Sequence, residues 1–144
     1  MVEPARWIQA PNRLGLARDH GQALVETALA LSLLVFTLMG GADIARVYAA
    51  TLAVENASRA GAEAAVMRVA MTDPVIASYA SDELGRVAGV DATKATITVT
   101  HTTGSGGESL VNVRVQYTFR TLTPWPGVPN AVALDRTATF RNYP

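Results

Sequence analysis

Residues 22–42 form a continuous apolar segment that carries a single charge, the carboxylate of Glu26. At about 1.5 Å per residue, a helix of this length spans roughly 30 Å, which is the thickness of the hydrocarbon core of a bilayer. Three arginines precede the segment against two acidic residues, so the positive-inside rule places the N-terminus in the cytoplasm. The pattern therefore predicts a single-pass membrane helix, with everything from Asp43 onward outside the cytoplasm.

Two rival interpretations of the apolar segment stay open. A secretory signal peptide cut near residues 40–42 would leave a soluble chain starting near Asp43, but the segment is longer than the usual ~7–15 residues and begins late in the chain. A permanent anchor that is never cut would instead carry an extracytoplasmic module that binds a partner. A membrane helix that is cut at its start, a signal peptide and an uncleaved anchor differ in where the mature chain begins.

The carboxylate of Glu26 is the first candidate functional group. A charge inside a membrane costs about 2–3 kcal/mol on insertion scales, and less near the end of the helix, so a function is the default explanation for it. Gly21, just before the apolar segment, is a small residue at which a peptidase can cut. Such a cut would make Glu26 the fifth residue of the new chain.

The helical pattern continues past the apolar segment, because residues 43–71 contain no proline and are rich in alanine, the best helix former. We therefore expect one helix from Gln22 to Met71. Small residues recur at every fourth position and predict either a close contact between helices or only the abundance of alanine. These candidate packing positions are Ala49, Ala53, Ala57, Gly61 and Ala65.

The second half of the chain, residues 72–144, predicts a short helix followed by a small antiparallel sheet. Pro74 starts the short helix, since the residue before a proline leaves the α region. Apolar and polar residues then alternate along residues 95–100 and 111–120, as they do in strands with one covered face. A last strand is expected near residues 132–141. The predicted fold class is α+β, with the outer half of the long helix covering the sheet.

Composition excludes several classes of function. The chain has no cysteine and equal numbers of basic and acidic residues, 12 of each, which argues against disulfides and against nucleic-acid binding. His20 and His101 lie far apart without ligand-spaced companions, so no metal site is expected. No catalytic or phosphate-binding motif is present, and we expect neither an enzyme nor a cofactor. Trp125 lies between two prolines and is either a partner contact or a residue that pins its own loop.

Three stretches of the sequence resemble the N-terminal region of the TadE-like family, the pseudopilins of the tight-adherence (Flp pilus) secretion system. They are Gly21-Gln22-Ala23-Leu24-Val25-Glu26, Gly41-Ala42-Asp43-Ile44-Ala45-Arg46 and Glu55-Asn56-Ala57-Ser58-Arg59-Ala60-Gly61-Ala62. Beyond residue 62 the resemblance is one of layout only, and it implies that the α+β fold is pilin-like. Family members often carry an aromatic residue after the glutamate, where this chain has Thr27.

The resemblance implies that a prepilin peptidase cuts between Gly21 and Gln22 and removes residues 1–21 as a cytoplasmic leader. The new amine at Gln22 would lie about one helical turn from Glu26 and pair with it, within one subunit or between neighbours. Glu26 would then fix the register of assembly, because an unpaired charge at low dielectric is costly.

The function implied is that of a minor pilin or pseudopilin in the assembly of a tight-adherence pilus or secretion system. The implied partners are a prepilin peptidase, other pilins or pseudopilins, and an inner-membrane assembly platform. The implied location is the cytoplasmic (inner) membrane, with residues 22–42 spanning it, residues 43–71 extending the helix outside, and an association with the pilus. The alternative is an uncleaved, single-pass anchor that carries a partner-binding module.

Overall fold

The computed structural model describes residues 13–123 and 129–142, and the side chains of residues 21–123 and 129–141. Trp125 therefore lies outside the described residues. Two helices precede three strands, in the order α1 (Arg13–Val66), α2 (Asp73–Gly85), a single 3-10 turn (Ala92–Lys94), β1 (Thr96–Thr103), β2 (Ser109–Arg120) and β3 (Ala131–Asn142). The strands form one antiparallel sheet in the order β1-β2-β3. This arrangement confirms the predicted α+β class.

The chain divides into two compact units, residues 1–39 and residues 40–144. In the first unit, every described side chain of α1 from residue 21 to residue 39 is exposed. In the described part of the chain, one helix is long and apolar enough to cross a membrane, and the apolar window that qualifies it buries none of its residues inside the molecule. An exposed apolar surface of this kind needs lipid or protein around it, which supports membrane anchoring.

The core of the second unit lies between α1, α2 and one face of the sheet. The predicted inward face of β2 is confirmed, because its five apolar side chains are all at least nine-tenths buried: Val111, Val113, Val115, Tyr117 and Phe119. From α1 the core takes mainly small side chains, among them Ala50, Val54 and Ala62. Small residues let the helix backbone approach its neighbours closely, so dispersion contacts form over a long stretch of helix.

Four of the five small-residue positions predicted to pack are buried in this core. Ala53, Ala57, Gly61 and Ala65 are buried, and Ala49 is partly buried. A β-carbon added at Gly61 would lie 3.1 Å from both Ala80 Cβ and Val113 Cγ1. The stripe therefore packs α1 against α2 and the sheet of the same chain.

Helix α1 extends beyond its predicted start and stops short of its predicted end. It is already helical at Arg13, the first described residue and upstream of Gln22, and it ends at Val66 rather than Met71. At the C-terminal end Arg68 takes a left-handed conformation (φ 58°). The amides of Val69 and Ala70 both bond to the carbonyl of Ala64, at 3.1 Å. This reversal carries Ala70 back into the core, where it is 2% exposed, so tertiary packing ends the helix before the proline is reached.

The strands follow the predicted alternation with small shifts in their ends. β1 and β2 are joined by a tight glycine-rich turn, in which Gly107 has a φ of 80° and its amide bonds to the carbonyl of Gly104 at 3.0 Å. Strand β3 forms one edge of the sheet. Within β3, Arg136 is paired with the buried Val115, so an exposed arginine stands on the core-facing side of an edge strand.

Replacing Gly61 with valine is expected to lower the free energy of unfolding by about 1–3 kcal/mol, because the added atoms overpack a filled contact. Urea unfolding of the full chain in detergent, followed by circular dichroism, measures the change. The matched control is Gly41→Val, since nothing lies within 4 Å of an added β-carbon at Gly41. Equal stability of the two variants would contradict the close approach of α1 to α2.

Candidate functional site

Three of the predicted site residues share one side of the first unit. Gly21, Gln22 and Glu26 border a shallow surface together with four apolar residues, Val25, Leu29, Ala30 and Leu33. All of these side chains are exposed. Gln22 and Glu26 are four residues apart in a continuous helix, so they lie one turn apart on the same face. The structure therefore brings together the residues on which the predicted processing and register depend.

The hydroxyl groups of the apolar segment are satisfied within α1 itself. Thr27 donates to the carbonyl of Ala23 at 2.8 Å, and Ser32 donates in the same way to Ala28 at 2.8 Å. Thr37 repeats the arrangement one further turn along. Such back-bonding removes the cost of placing a hydroxyl in hydrocarbon.

The carboxylate of Glu26 is different, because it makes no hydrogen bond or ion pair with any residue that the structure describes. An ionised carboxylate in a bilayer core is strongly disfavoured unless it meets a cation or hydrogen-bond donors. Its partner therefore has to come from outside the described chain. Glu26 therefore differs from the hydroxyl groups of the segment, which are hydrogen-bonded within α1.

A second polar centre lies where the chain leaves the apolar segment, at Asp43, which is 4% exposed. One carboxylate oxygen accepts the amide of Leu122 at 3.1 Å, and the other accepts the amide of Thr123 at 3.2 Å. Arg46 also donates to this carboxylate, at 3.2 Å. Hydrogen bonds to a charged group are worth about 1.5–3 kcal/mol. Asp43 thus fastens the loop after β2 to the first turn of α1 in the second unit.

The guanidinium of Arg46 completes this centre. It lies 5.1 Å from the centroid of the Phe119 ring, a distance at which a cation is attracted to an aromatic face. Phe119 is 2% exposed and the Arg46 side chain about one-third exposed, so the contact joins the core to the surface. The sequence offered one signal for this centre, an acid and an arginine three residues apart directly after the apolar segment.

Two concave surfaces flank this centre in the second unit. An apolar groove of about 580 Å³ lies between α1 and β3, with Ile44, Tyr48 and Val132 among its lining residues. We call the other the basic cleft, a recess of about 260 Å³ that holds the cations Arg46, Lys94 and Arg120.

The basic cleft also contains a carboxylate, Asp91. Lys94 lies 2.8 Å from it, and Thr93 donates two further hydrogen bonds. These bonds, with that from Lys94 the strongest, lower the pKa of Asp91 to about 2. Asp91 is therefore ionised at neutral pH and neutralises Lys94.

The remaining predicted residues play no part in either centre. His101 lies 2.9 Å from Asp73 and ties β1 to the start of α2. The side chain of His20, like Trp125, lies outside the described residues. No group of three potential metal ligands occurs among the residues that the structure describes.

Replacing Asp43 with alanine is expected to lower the free energy of unfolding of the second unit by about 2–3 kcal/mol, since two amides and Arg46 lose a charged acceptor. Hydrogen exchange should rise most at the amides of Leu122 and Thr123, which mass spectrometry of the peptic fragments detects. The control is Glu55→Ala, which removes an exposed ion pair with Arg59 and should change stability by less than about 0.5 kcal/mol. Unchanged exchange at both amides would contradict the proposed fastening of the loop.

Comparison with known proteins agrees with these features. Residues 21–63 match the family model described as TadE-like protein, a segment that includes Gly21, Glu26 and Asp43. No curated protein and no solved structure matches the chain. Members of this pilus-associated family are structural rather than enzymatic. The exposed apolar helix and the family match together support a membrane-anchored component, and through residues 21–63 the chain is similar to the TadE-like proteins of the tight-adherence system.

Proposed function

We propose that this protein is a minor pilin or pseudopilin, processed between Gly21 and Gln22, that assembles through α1 with other pilin-like subunits in the inner membrane. The observation that carries the proposal is the carboxylate of Glu26, exposed and without a partner on an apolar helix face that also holds Gln22. A permanent anchor has no need of such a group, and an assembling helix has a use for it.

Cleavage would supply the missing cation. It would create an ammonium group at Gln22, four residues from Glu26 and therefore about 6 Å along the helix axis. In the low dielectric of the bilayer, attraction between these charges is far stronger than at a protein surface. The pair can form within one subunit or between neighbours, and the intersubunit pair links processing to assembly.

The same pair would fix the register between subunits. A subunit displaced along its neighbour leaves a carboxylate and an ammonium group unpaired in hydrocarbon, and breaking a buried ion pair in this way costs about 3–5 kcal/mol. Leucine and alanine side chains, which are the commonest in the rest of the segment, pack almost equally well in several registers. Charge pairing at Glu26 would therefore select one of them.

The position of the scissile bond adds a requirement. α1 begins at Arg13, so the bond between Gly21 and Gln22 lies inside a helix, and a peptidase must open that turn to reach it. Glycine lowers helix stability by about 1 kcal/mol relative to alanine. Gly21 would thus serve both as the small residue before the cut and as a local weakness in the helix.

The first test is the mature N-terminus of the full chain, expressed with the prepilin peptidase of its host and analysed by mass spectrometry. We expect a chain that starts at Gln22 and has lost residues 1–21. Gly21→Leu is the control and should block cleavage, because a bulky side chain replaces a small one and strengthens the helix.

An intact N-terminus in native membranes would contradict the proposal and leave the uncleaved, partner-binding anchor as the function. A start near Asp43 would instead indicate a secreted protein. Cleavage that persists in the Gly21→Leu variant would show that another bond is cut.

The second test concerns Glu26. Glu26→Gln should leave cleavage intact but reduce co-purification of other pilin subunits from the membrane by about tenfold, which corresponds to ~1.4 kcal/mol. Quantitative mass spectrometry of a tagged subunit and its partners measures the loss. Ser32→Ala is the matched control, since it removes a polar group that is already bonded within α1. Equal recovery of partners with both variants would refute a register role for Glu26.

A further inference from the structure

The first turns of α1 in the second unit lie close to the expected membrane boundary. Ile44, Arg46 and Tyr48 follow Ala42, the last residue of the apolar segment, by about 3, 6 and 9 Å along the helix axis. The headgroup layer on each side of a bilayer is roughly 5–8 Å thick. These residues are therefore placed within the headgroup layer or at its outer edge.

Asp43 brings a distant part of the chain to the same level. Its carboxylate binds the amides of Leu122 and Thr123, so the loop after β2 is fastened beside the helix turn that leaves the apolar segment. The side chain of Leu122 is 73% exposed. The position of this leucine is fixed by two hydrogen bonds to a buried carboxylate.

Large apolar side chains are exposed around this point. Ile44 is 73% exposed and Tyr48 is 66% exposed, although both lie beyond the predicted membrane span. Transfer of apolar surface from water to lipid gains about 25 cal/mol per Å². Tyrosine is also enriched at the membrane interface, where its ring is in contact with lipid and its hydroxyl group with water.

The neighbouring basic cleft provides the complementary charge. Arg46 and Lys94 are paired with Asp43 and Asp91, but Arg120 makes no hydrogen bond or ion pair within the described part of the chain. Arg120 is exposed and stands two residues before Leu122. A cation without a bonding partner among the described residues thus stands two positions from an exposed leucine.

We propose that this membrane-facing surface, formed by Ile44, Tyr48, Leu122 and the basic cleft, docks onto anionic phospholipid. Leu122 and Tyr48 enter the apolar part of the interface, while Arg120 binds headgroup phosphate with Arg46 and Lys94 beside it. The inference rests on the membrane helix of the proposed function and not on its cleavage. As a consequence of this docking, the loop after β2 would stay at the membrane surface until the subunit leaves the membrane.

Depth measurements on the full chain test this docking. Because the chain has no cysteine, single nitroxide labels are attached at Leu122→Cys, at Leu33→Cys inside the segment, and at Met71→Cys, which is 80% exposed and beyond the end of α1. Each variant is placed at one copy per nanodisc of phosphatidylcholine and phosphatidylglycerol. Collision with oxygen and with a water-soluble nickel chelate reports the depth of each label.

We expect the label at Leu122 to be severalfold less accessible to the nickel chelate than the label at Met71. Equal accessibility of these two labels, with Leu33 in lipid, would overturn the docking alone. A label at Leu33 that is itself in water would overturn the membrane anchoring as well. Each disc holds one copy, so a second subunit cannot cover Leu122 in this experiment. Protection of the Leu122 label that appears only in discs with two copies would also overturn the proposal.

The role of charge is tested in the Leu122→Cys background. Arg120→Gln should weaken docking about fivefold on anionic discs, as expected for the loss of one basic residue near an anionic surface, and should have no effect on pure phosphatidylcholine discs. Arg136→Gln is the matched control, because it removes the same charge from β3, outside the cleft. Equal shifts from both substitutions would overturn the assignment of the cleft as the headgroup site.

Discussion

Helix α1 is exposed along its first part and packs against a protein core along its second part. The size of its side chains differs between these two parts. From residue 21 to residue 39, α1 presents mostly large apolar side chains, all of them exposed. From residue 40 onward its inward face consists mainly of alanine, which allows close contact with a sheet and a second helix. The packing of the second unit depends on this division, because a bulky side chain at Gly61 would clash with Ala80 of α2 and Val113 of the sheet.

The transition between the two surroundings is occupied by Asp43 rather than by a flexible linker. A buried carboxylate requires several donors, and it finds them in the loop after β2 and in Arg46. Within the second unit, these bonds fix the start of α1 against the loop after β2.

Periodicity was enough to predict the class of fold, since the alternation along β2 is typical of a strand with one covered face and the alanine-rich sequence of α1 is typical of a helix. The end of α1 at Val66 escaped prediction because neither glycine nor proline marks it, and the reversal depends on Ala70 packing in the core. The partners of Asp43 were equally hidden, because they lie 79 and 80 residues away in the sequence. Gly21, Gln22 and Glu26 could be proposed as site residues because their spacing is local. Local patterns are visible in one sequence, whereas long-range hydrogen bonds are not.

The inward-facing arginine of β3 has a consequence for any protein that is built to polymerise. An edge strand of twelve residues is a template on which a strand of another molecule can grow, and repeated addition leads to amyloid-like aggregates. Arg136 places a charge on the side that such a strand would have to bury. Growth by strand addition is thereby discouraged. In the proposed assembly of pilin-like subunits, this arginine would therefore favour association through helices over association through strands.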